Sequence, residues 1–244
     1  MNTNTPNPTP TVIAPQTNNP PVKPLWVLEF ERTRKDFTPT DPDHLFGPAN
    51  LLAKKMVNMA TKIKAGFKPG NKSTEKSKPI LLYGPSGTGK SRIADMMVEK
   101  LITERANLLK INGKKVNKED VEDWFREAQT GSIFPGLVVK HIGEVDAASP
   151  DAKLLLLSFL EEIPSHWVIL ATTNVAISKA DRFWSRWLSF HVPSPTEDIV
   201  VEQLIVLGIN AQDARTIASE CNGNLRSIIH EAAKYFETRA AEHE

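Results

Sequence analysis

Apolar and polar positions divide this chain into two kinds of stretch. Short, mostly apolar runs have the length and make-up of buried strands: Ile80-Leu81-Leu82-Tyr83, Leu137-Val138-Val139-Lys140-His141-Ile142, and Trp167 to Thr172. Asn107 to Asn112 and Leu188 to Val192 read as two further strands. Between them lie stretches whose apolar residues recur at helical spacing. Pro48 to Ala65 carries Leu51, Leu52, Met56, Met59 and Ile63 in this way. A helix is expected after Ser91, running to about Thr103. Others are expected over Lys118 to Gln129, with Val121, Trp124 and Phe125 on one face, over Asp151 to Glu162, and over Ala180 to Trp187. Strands alternating with helices predict a parallel sheet with helices on both faces. A ligand would sit at the carboxyl ends of the strands.

The two ends of the chain differ from this middle. Residues 1 to 24 are Asn, Thr and Pro with almost no apolar content. They read as a disordered tail, because they bury too little surface to offset the entropy of ordering. From Leu25 to Phe37, Trp26, Val27, Leu28 and Phe30 are apolar anchors among Arg32, Arg34 and Lys35. Thr38 to Asp43 reads as turns. Pro193-Ser194-Pro195 marks a boundary, and three helical patterns and no strand follow it: Glu197 to Leu207, Ala211 to Cys221, and Asn224 to about Ala240. The expected division is a tail (1–24), an α/β domain (25–193) and a helical domain (194–244). The last is too small to stand well alone and should pack on the domain before it.

Composition narrows the class. The 244 residues are 40% hydrophobic and 24% charged, ordinary values for a globular protein. A net charge of +1 gives no global attraction to nucleic acid or membrane. Lys68, Lys72, Lys76 and Lys78 lie in a Gly/Pro/Ser-rich loop and read as a solvated surface. The single cysteine, Cys221, excludes an internal disulfide and a cysteine-rich zinc site. No apolar run approaches a membrane span, and no basic region followed by an apolar core opens the chain. A reducing, cytoplasmic setting is expected.

The chemistry concentrates where the first strand ends. Gly84-Pro85-Ser86-Gly87-Thr88-Gly89-Lys90-Ser91 fits G-x-x-x-x-G-K-[ST] between a strand and a helix. Glycines let the backbone curl around an anion, and the N–H groups of the turn and of the helix it opens point at a phosphate. Lys90 would reach the β- and γ-phosphates, and the Ser91 hydroxyl would ligate Mg²⁺. A nucleotide switch also needs a group that positions water, a polar group near the γ-phosphate and, commonly, an arginine from a neighbour. Glu144, in Gly143-Glu144-Val145-Asp146 after an apolar strand, is the candidate to polarise water. Asn174, ending the next strand, offers an amide donor. Arg182 and Arg186, four apart, share a helix face, and either guanidinium suits developing phosphate charge. Arg226, opening the last helix, sits unfavourably against the helix dipole unless an anion faces it.

The order and spacing of these motifs identify a family. From Leu45 to about Phe236 the chain resembles an AAA+ ATPase, and within that group the clamp-loader branch. That branch includes the small subunits of replication factor C and the bacterial DNA polymerase III gamma and delta-prime subunits. Leu45-Phe46-Gly47 resembles the segment that packs on the adenine. Gly84 to Ser91 looks like Walker A and Gly143 to Asp146 like Walker B. Thr173-Asn174 looks like sensor 1, Ser185-Arg186-Trp187 like the Ser-Arg-Cys motif that supplies a finger arginine in trans, and Gly223 to Arg226 like sensor 2 in a helical lid.

The resemblance implies ATP and Mg²⁺ as cofactors and Lys90, Glu144, Asn174 and Arg186 as catalytic residues. The nucleotide would be bound by Gly84 through Arg92, with Arg226 and Phe46. The metal would be held by Ser91, with Asp146 as a compensating acid. It further implies assembly with other AAA+ subunits, DNA and a sliding clamp as partners, and a weaker DNA contact from Lys114 and Lys115.

Three departures stand out. Gly143 occupies the place of the Walker B Asp that helps hold Mg²⁺, so ATP binding follows more directly than ATP hydrolysis. Trp187 replaces a cysteine. No counterpart of the clamp-loader collar domain is expected after the lid. The expected function is an ATP-driven switch in DNA replication or repair. The alternatives are an assembly module that binds ATP with little hydrolysis and a protein-remodelling ring.

Overall fold

The computed structural model describes residues 25–33, 37–45, 47–67, 77–130 and 134–241. The expectations for the 1–24 tail and for Arg34, Lys35, Phe46, Lys68, Lys72 and Lys76 fall outside these residues.

Five strands form one sheet: β1 (Ile80–Tyr83), β2 (Leu108–Asn112), β3 (Val138–Gly143), β4 (Trp167–Thr173) and β5 (Leu188–His191). Their order is β2-β3-β4-β1-β5, and every neighbouring pair is parallel. Alternate residues serve opposite faces, as strand geometry requires. Ile80, Leu82, Val139, Val168 and Leu170 belong to one apolar core, and Leu81, Val138, Ile142, Ile169 and Ala171 to the other. The first core is covered by α2 (Pro48–Gly66) and α3 (Lys90–Leu101), the second by α4 (Lys118–Thr130) and α5 (Pro150–Glu161). A short helix, α6 (Arg182–Ser185), leads into β5. This is the expected α/β fold, with most boundaries displaced by only a residue or two. The exception is α6, where Asp181 caps the helix through Phe183 N–H and only four residues are helical.

Three helices close the described chain: α7 (Glu197–Leu207), α8 (Ala211–Cys221) and α9 (Leu225–Ala241). Their buried residues, among them Val200, Leu204, Ile217, Leu225 and Ile228, join the same core as β1, α2 and α3. The anchors near the start of the chain form a helix, α1 (Leu25–Thr33). Trp26 Nε1 donates to Gln203 of α7 at 3.1 Å, and the Phe30 ring lies 6.3 Å from that of Phe236 in α9. Pattern alone did not show that these apolar residues reach the C-terminal helices.

One buried polar residue sets a pH limit on this architecture. His141 on β3 is 2% exposed, and neither ring nitrogen has a hydrogen-bond partner. Burial pushes its pKa down to about 4, against a pull upward from Asp95 on α3; Lys110 on β2 adds to the depression. The folded state therefore binds fewer protons than the unfolded one between pH 6.5 and 4. Stability is full above that window and falls as pH drops through it. The expected loss is on the order of 3 kcal/mol. Urea unfolding of wild type and His141→Leu at pH 7 and pH 4.5 measures it: the variant should be markedly less acid-sensitive. Equal pH dependence would contradict this account.

Candidate nucleotide site

The turn after β1 curls because three of its glycines hold left-handed backbone angles: φ is 147° at Gly84, 79° at Gly87 and 94° at Gly89. A side chain at Gly84 would land 2.3 Å from the Val192 carbonyl oxygen at the end of β5, so the turn is pressed against the sheet. Thr88 is fully buried and donates its hydroxyl to the Pro85 carbonyl at 3.0 Å. Lys90 is 6% exposed and begins α3. Its ammonium donates to the Gly84 carbonyl at 2.9 Å and also to that of Pro85. Burial lowers the Lys90 pKa to about 8; Glu144 and Asp146 pull it back up and Arg226 presses it further down. A cation so placed is poised for an anion in the turn, which would restore its charge preference.

Above the turn opens a cavity of about 780 Å³, within the range of small-molecule sites. Ser86, Gly87, Gly89, Lys90, Ser91 and Arg92 form its floor. Glu144, Thr172 and Asn174, from the carboxyl ends of β3 and β4, form one wall. Leu225, Arg226, Ile229 and Ala233 of α9 form another. Phe37, Pro39, His44 and Leu45 add a mostly apolar patch, with Leu45 Cδ2 3.7 Å from where a Cβ on Gly89 would stand. Their turn is fixed by Asp41, which accepts from Asp43 N–H at 2.9 Å, while His44 Nδ1 accepts from Thr40 N–H at 3.2 Å. The apolar patch suits a base, and the Lys90 turn suits phosphates.

Glu144 stands in an unusual backbone state, φ 54° and ψ 54°. Such left-handed angles cost a non-glycine residue about 1–2 kcal/mol. Its N–H donates to the Thr172 hydroxyl at 3.2 Å. Its carboxylate accepts from Asn112 at 3.4 Å and from Asn174 at 3.5 Å. Gly113 must be a glycine for this to happen, since a Cβ there would meet the Glu144 carbonyl oxygen at 2.0 Å. The carboxylate is thus held at the mouth of the cavity between two amides.

The metal side is sparse. Gly143 brings no carboxylate. Asp146 does not line the cavity; its Oδ1 accepts from the Thr173 hydroxyl at 2.6 Å. No group of three His, Cys, Asp or Glu that could hold a metal occurs among the described residues. The donors that fit Mg²⁺ here are the Ser91 hydroxyl and whatever phosphate oxygens and waters accompany it, a set that Mg²⁺ accepts.

Arg226 lines the cavity on the first turn of α9. Arg186 does not: its Nε donates to Glu161 of α5 at 2.7 Å, on the far side of the sheet from its own Lys90 turn. Arg182 is exposed on α6. Lys114 and Lys115 are exposed in the turn after β2, capped by Asn112, whose side chain accepts from Lys114 N–H. Sequence reasoning missed Asn112, Thr172 and Asn224. The first two are ordinary strand-end polar residues until the sheet brings them to Glu144. Asn224 sits inside the Gly223 to Arg226 motif, whose spacing assigns it no role. Here its Oδ1 accepts from Arg226 N–H at 3.1 Å and Ser227 N–H at 3.3 Å, capping α9. A Cβ on Gly87 would fall 2.0 Å from that oxygen, while Leu225 N–H donates to the Gly87 carbonyl at 3.0 Å.

Comparison with known proteins defines the class. The family described as ATPase family associated with various cellular activities (AAA) matches residues 80–190, the span from β1 to β5. That match takes in just under half of the chain, and the fold is that of an AAA+ P-loop NTPase. Among solved structures, the chain is similar to the RuvB Holliday junction branch migration motor of Thermotoga maritima, with a TM-score of 0.55 at 20% identity. That match covers 80% of this chain and 63% of that one. A variant of the same RuvB gives a TM-score of 0.59 at 18% identity, covering 84% of this chain and 67% of that one. The chain therefore spans just under two thirds of the length of the first of these. At such identities the likeness is one of fold. A search of curated proteins gives no match.

Gly87→Ala tests the joint between the turn and α9. It adds a methyl where Asn224 sits and demands an unfavourable φ, so it should destabilise by roughly 1–3 kcal/mol. Thermal unfolding reads this directly, and nucleotide affinity should fall at least several-fold in the same protein. An unchanged midpoint would mean that the close packing at Gly87 is dispensable.

Proposed function

We propose that this protein is an ATP-operated AAA+ switch that acts in DNA replication or repair, in the manner of a clamp-loader subunit. ATP would lie with its base at the Phe37–Leu45 end and its phosphates over Gly84 to Ser91. The observation that carries the reading is the convergence of Lys90, Glu144, Asn174 and Arg226 on one cavity at the carboxyl edge of the sheet. Lys90 binds the phosphates, Glu144 takes up the attacking water's proton, and Asn174 orients the water. Mg²⁺, held through Ser91, would neutralise phosphate charge. Arg226 ties the position of α9 to the presence of the γ-phosphate. Arg186 serves the site of a neighbouring subunit, since it lies outside its own. The DNA side of the proposal is supported by the family resemblance and, as analogy of fold, by the RuvB motor. No helix among the described residues is long and apolar enough to cross a membrane.

A second reading, an assembly module with little hydrolysis, is favoured by one feature: the metal's usual carboxylate is absent at Gly143, and Asp146 is turned toward Thr173. The two readings are separable by mutation. A Cβ at Gly143 meets nothing nearer than the Ile111 carbonyl oxygen at 3.9 Å, so Gly143→Asp can be accommodated. It should raise Mg²⁺-dependent ATP turnover about tenfold or more if the missing carboxylate limits hydrolysis.

Lys90→Ala should abolish ATP binding. Glu144→Gln should keep binding and lower turnover by roughly 100-fold. Turnover by purified protein, with and without primed DNA, checks these outcomes. Turnover unchanged by Lys90→Ala and Glu144→Gln would remove the catalytic assignment, and stable hexamers indifferent to DNA would favour a remodelling ring.

A further inference from the structure

The apolar patch of the cavity contains one polar side chain whose proton has a fixed place. His44 ends the single-turn helix Pro42–His44 and is 7% exposed. Its ring lies 6.2 Å from that of Phe37, and both residues line the cavity with Leu45. Two backbone donors converge on His44 Nδ1: Thr40 N–H at 3.2 Å and Asp41 N–H at 3.3 Å. The Thr40 hydroxyl is 3.4 Å from the same nitrogen. A backbone N–H can only donate, and an imidazole nitrogen that accepts carries no proton. The ring proton is therefore on Nε2.

Local sequence dictates this tautomer. Asp41 caps the turn and His44 accepts in return, which closes a capping box. The Nε2–H is left as a donor of fixed direction. It has no partner among the described residues. Unlike the ring nitrogens of His141, it is not sealed inside the protein. A nearly buried donor without an acceptor is costly, so a ligand that supplies an acceptor gains at this point.

We propose that His44 reads the base of the bound nucleotide: its Nε2–H donates to a ring nitrogen of the purine, with Phe37 and Leu45 supplying the apolar contact beside it. This rests on ATP occupying the cavity with its base at this patch. The amino group of adenine is itself a donor and cannot face Nε2–H, so His44 sets the orientation of the base as well as its identity. His44 is thus a specificity residue, remote from the reacting phosphates.

ATP analogues in which one ring nitrogen is replaced by C–H test this, with binding affinity for the full chain as the readout. Among 1-deaza-, 3-deaza- and 7-deaza-ATP, wild type should bind one roughly five- to tenfold more weakly than ATP. His44→Asn isolates the donor. Its amide oxygen reaches the place of Nδ1 and can accept from Thr40 and Asp41, so the turn is kept, while nothing replaces Nε2–H. This variant should bind ATP more weakly by a similar factor and should no longer distinguish ATP from that analogue. Unchanged affinity in His44→Asn, or discrimination that survives in it, would overturn the role of His44. Wild type that binds all three analogues as it binds ATP would do the same, whether or not the variant folds. Wild type that binds no ATP would instead overturn the nucleotide reading on which this role rests.

Discussion

The architecture turns on one contact between backbone groups. The Leu225 N–H at the start of α9 donates to the Gly87 carbonyl in the phosphate turn. The Asn224 side chain caps α9 and fills the space where any side chain at residue 87 would stand. Through this joint the C-terminal helices rest on the loop that would hold the phosphates. A single such hydrogen bond is worth only about 1 kcal/mol net. A nucleotide touching the turn, Lys90 and α9 together brings several charge-assisted contacts, so its presence can reset the joint. The same reasoning gives Lys90 its part. Its ammonium now rests on two carbonyls of the turn, and a phosphate offers it a stronger partner.

The two sides of the cavity are unequally equipped. Glu144 is held in a costly backbone conformation by Thr172, with Asn112 and Asn174 against its carboxylate, which is the signature of a positioned group. The metal side has Ser91 and no adjacent acid, because Gly143 ends β3 without a side chain and Asp146 is spent on Thr173. Binding therefore has more structural support than hydrolysis. A weakly held metal would leave more of the phosphate charge for arginines to neutralise, which raises the weight on Arg226 and on an Arg186 arriving from outside.

Much of this was legible in the sequence because its causes are local. Short apolar runs and helical spacing placed five strands and the helices around them, and the glycine spacing picked out the turn that lines the cavity. The order of motifs gave the class of fold. What was not legible depends on contacts distant in sequence. Trp26 and Phe30 read as apolar anchors, and their contacts with Gln203 and Phe236 show what they hold. Asn112 looks like a strand-end residue until β2 and β3 pair in register and bring it to Glu144. The engagement of Arg186 by Glu161 spans two helices and has no signature in spacing.

The central claim is that nucleotide in this cavity governs the joint between the phosphate turn and α9. Hydrogen exchange of backbone amides, with and without Mg²⁺-ATP, tests it most directly. The account predicts slower exchange, on adding ATP, at Gly87 to Ser91 and at Leu225 to Ser227 together. Protection of the turn with no change at Leu225 to Ser227, or no change at either, would contradict it.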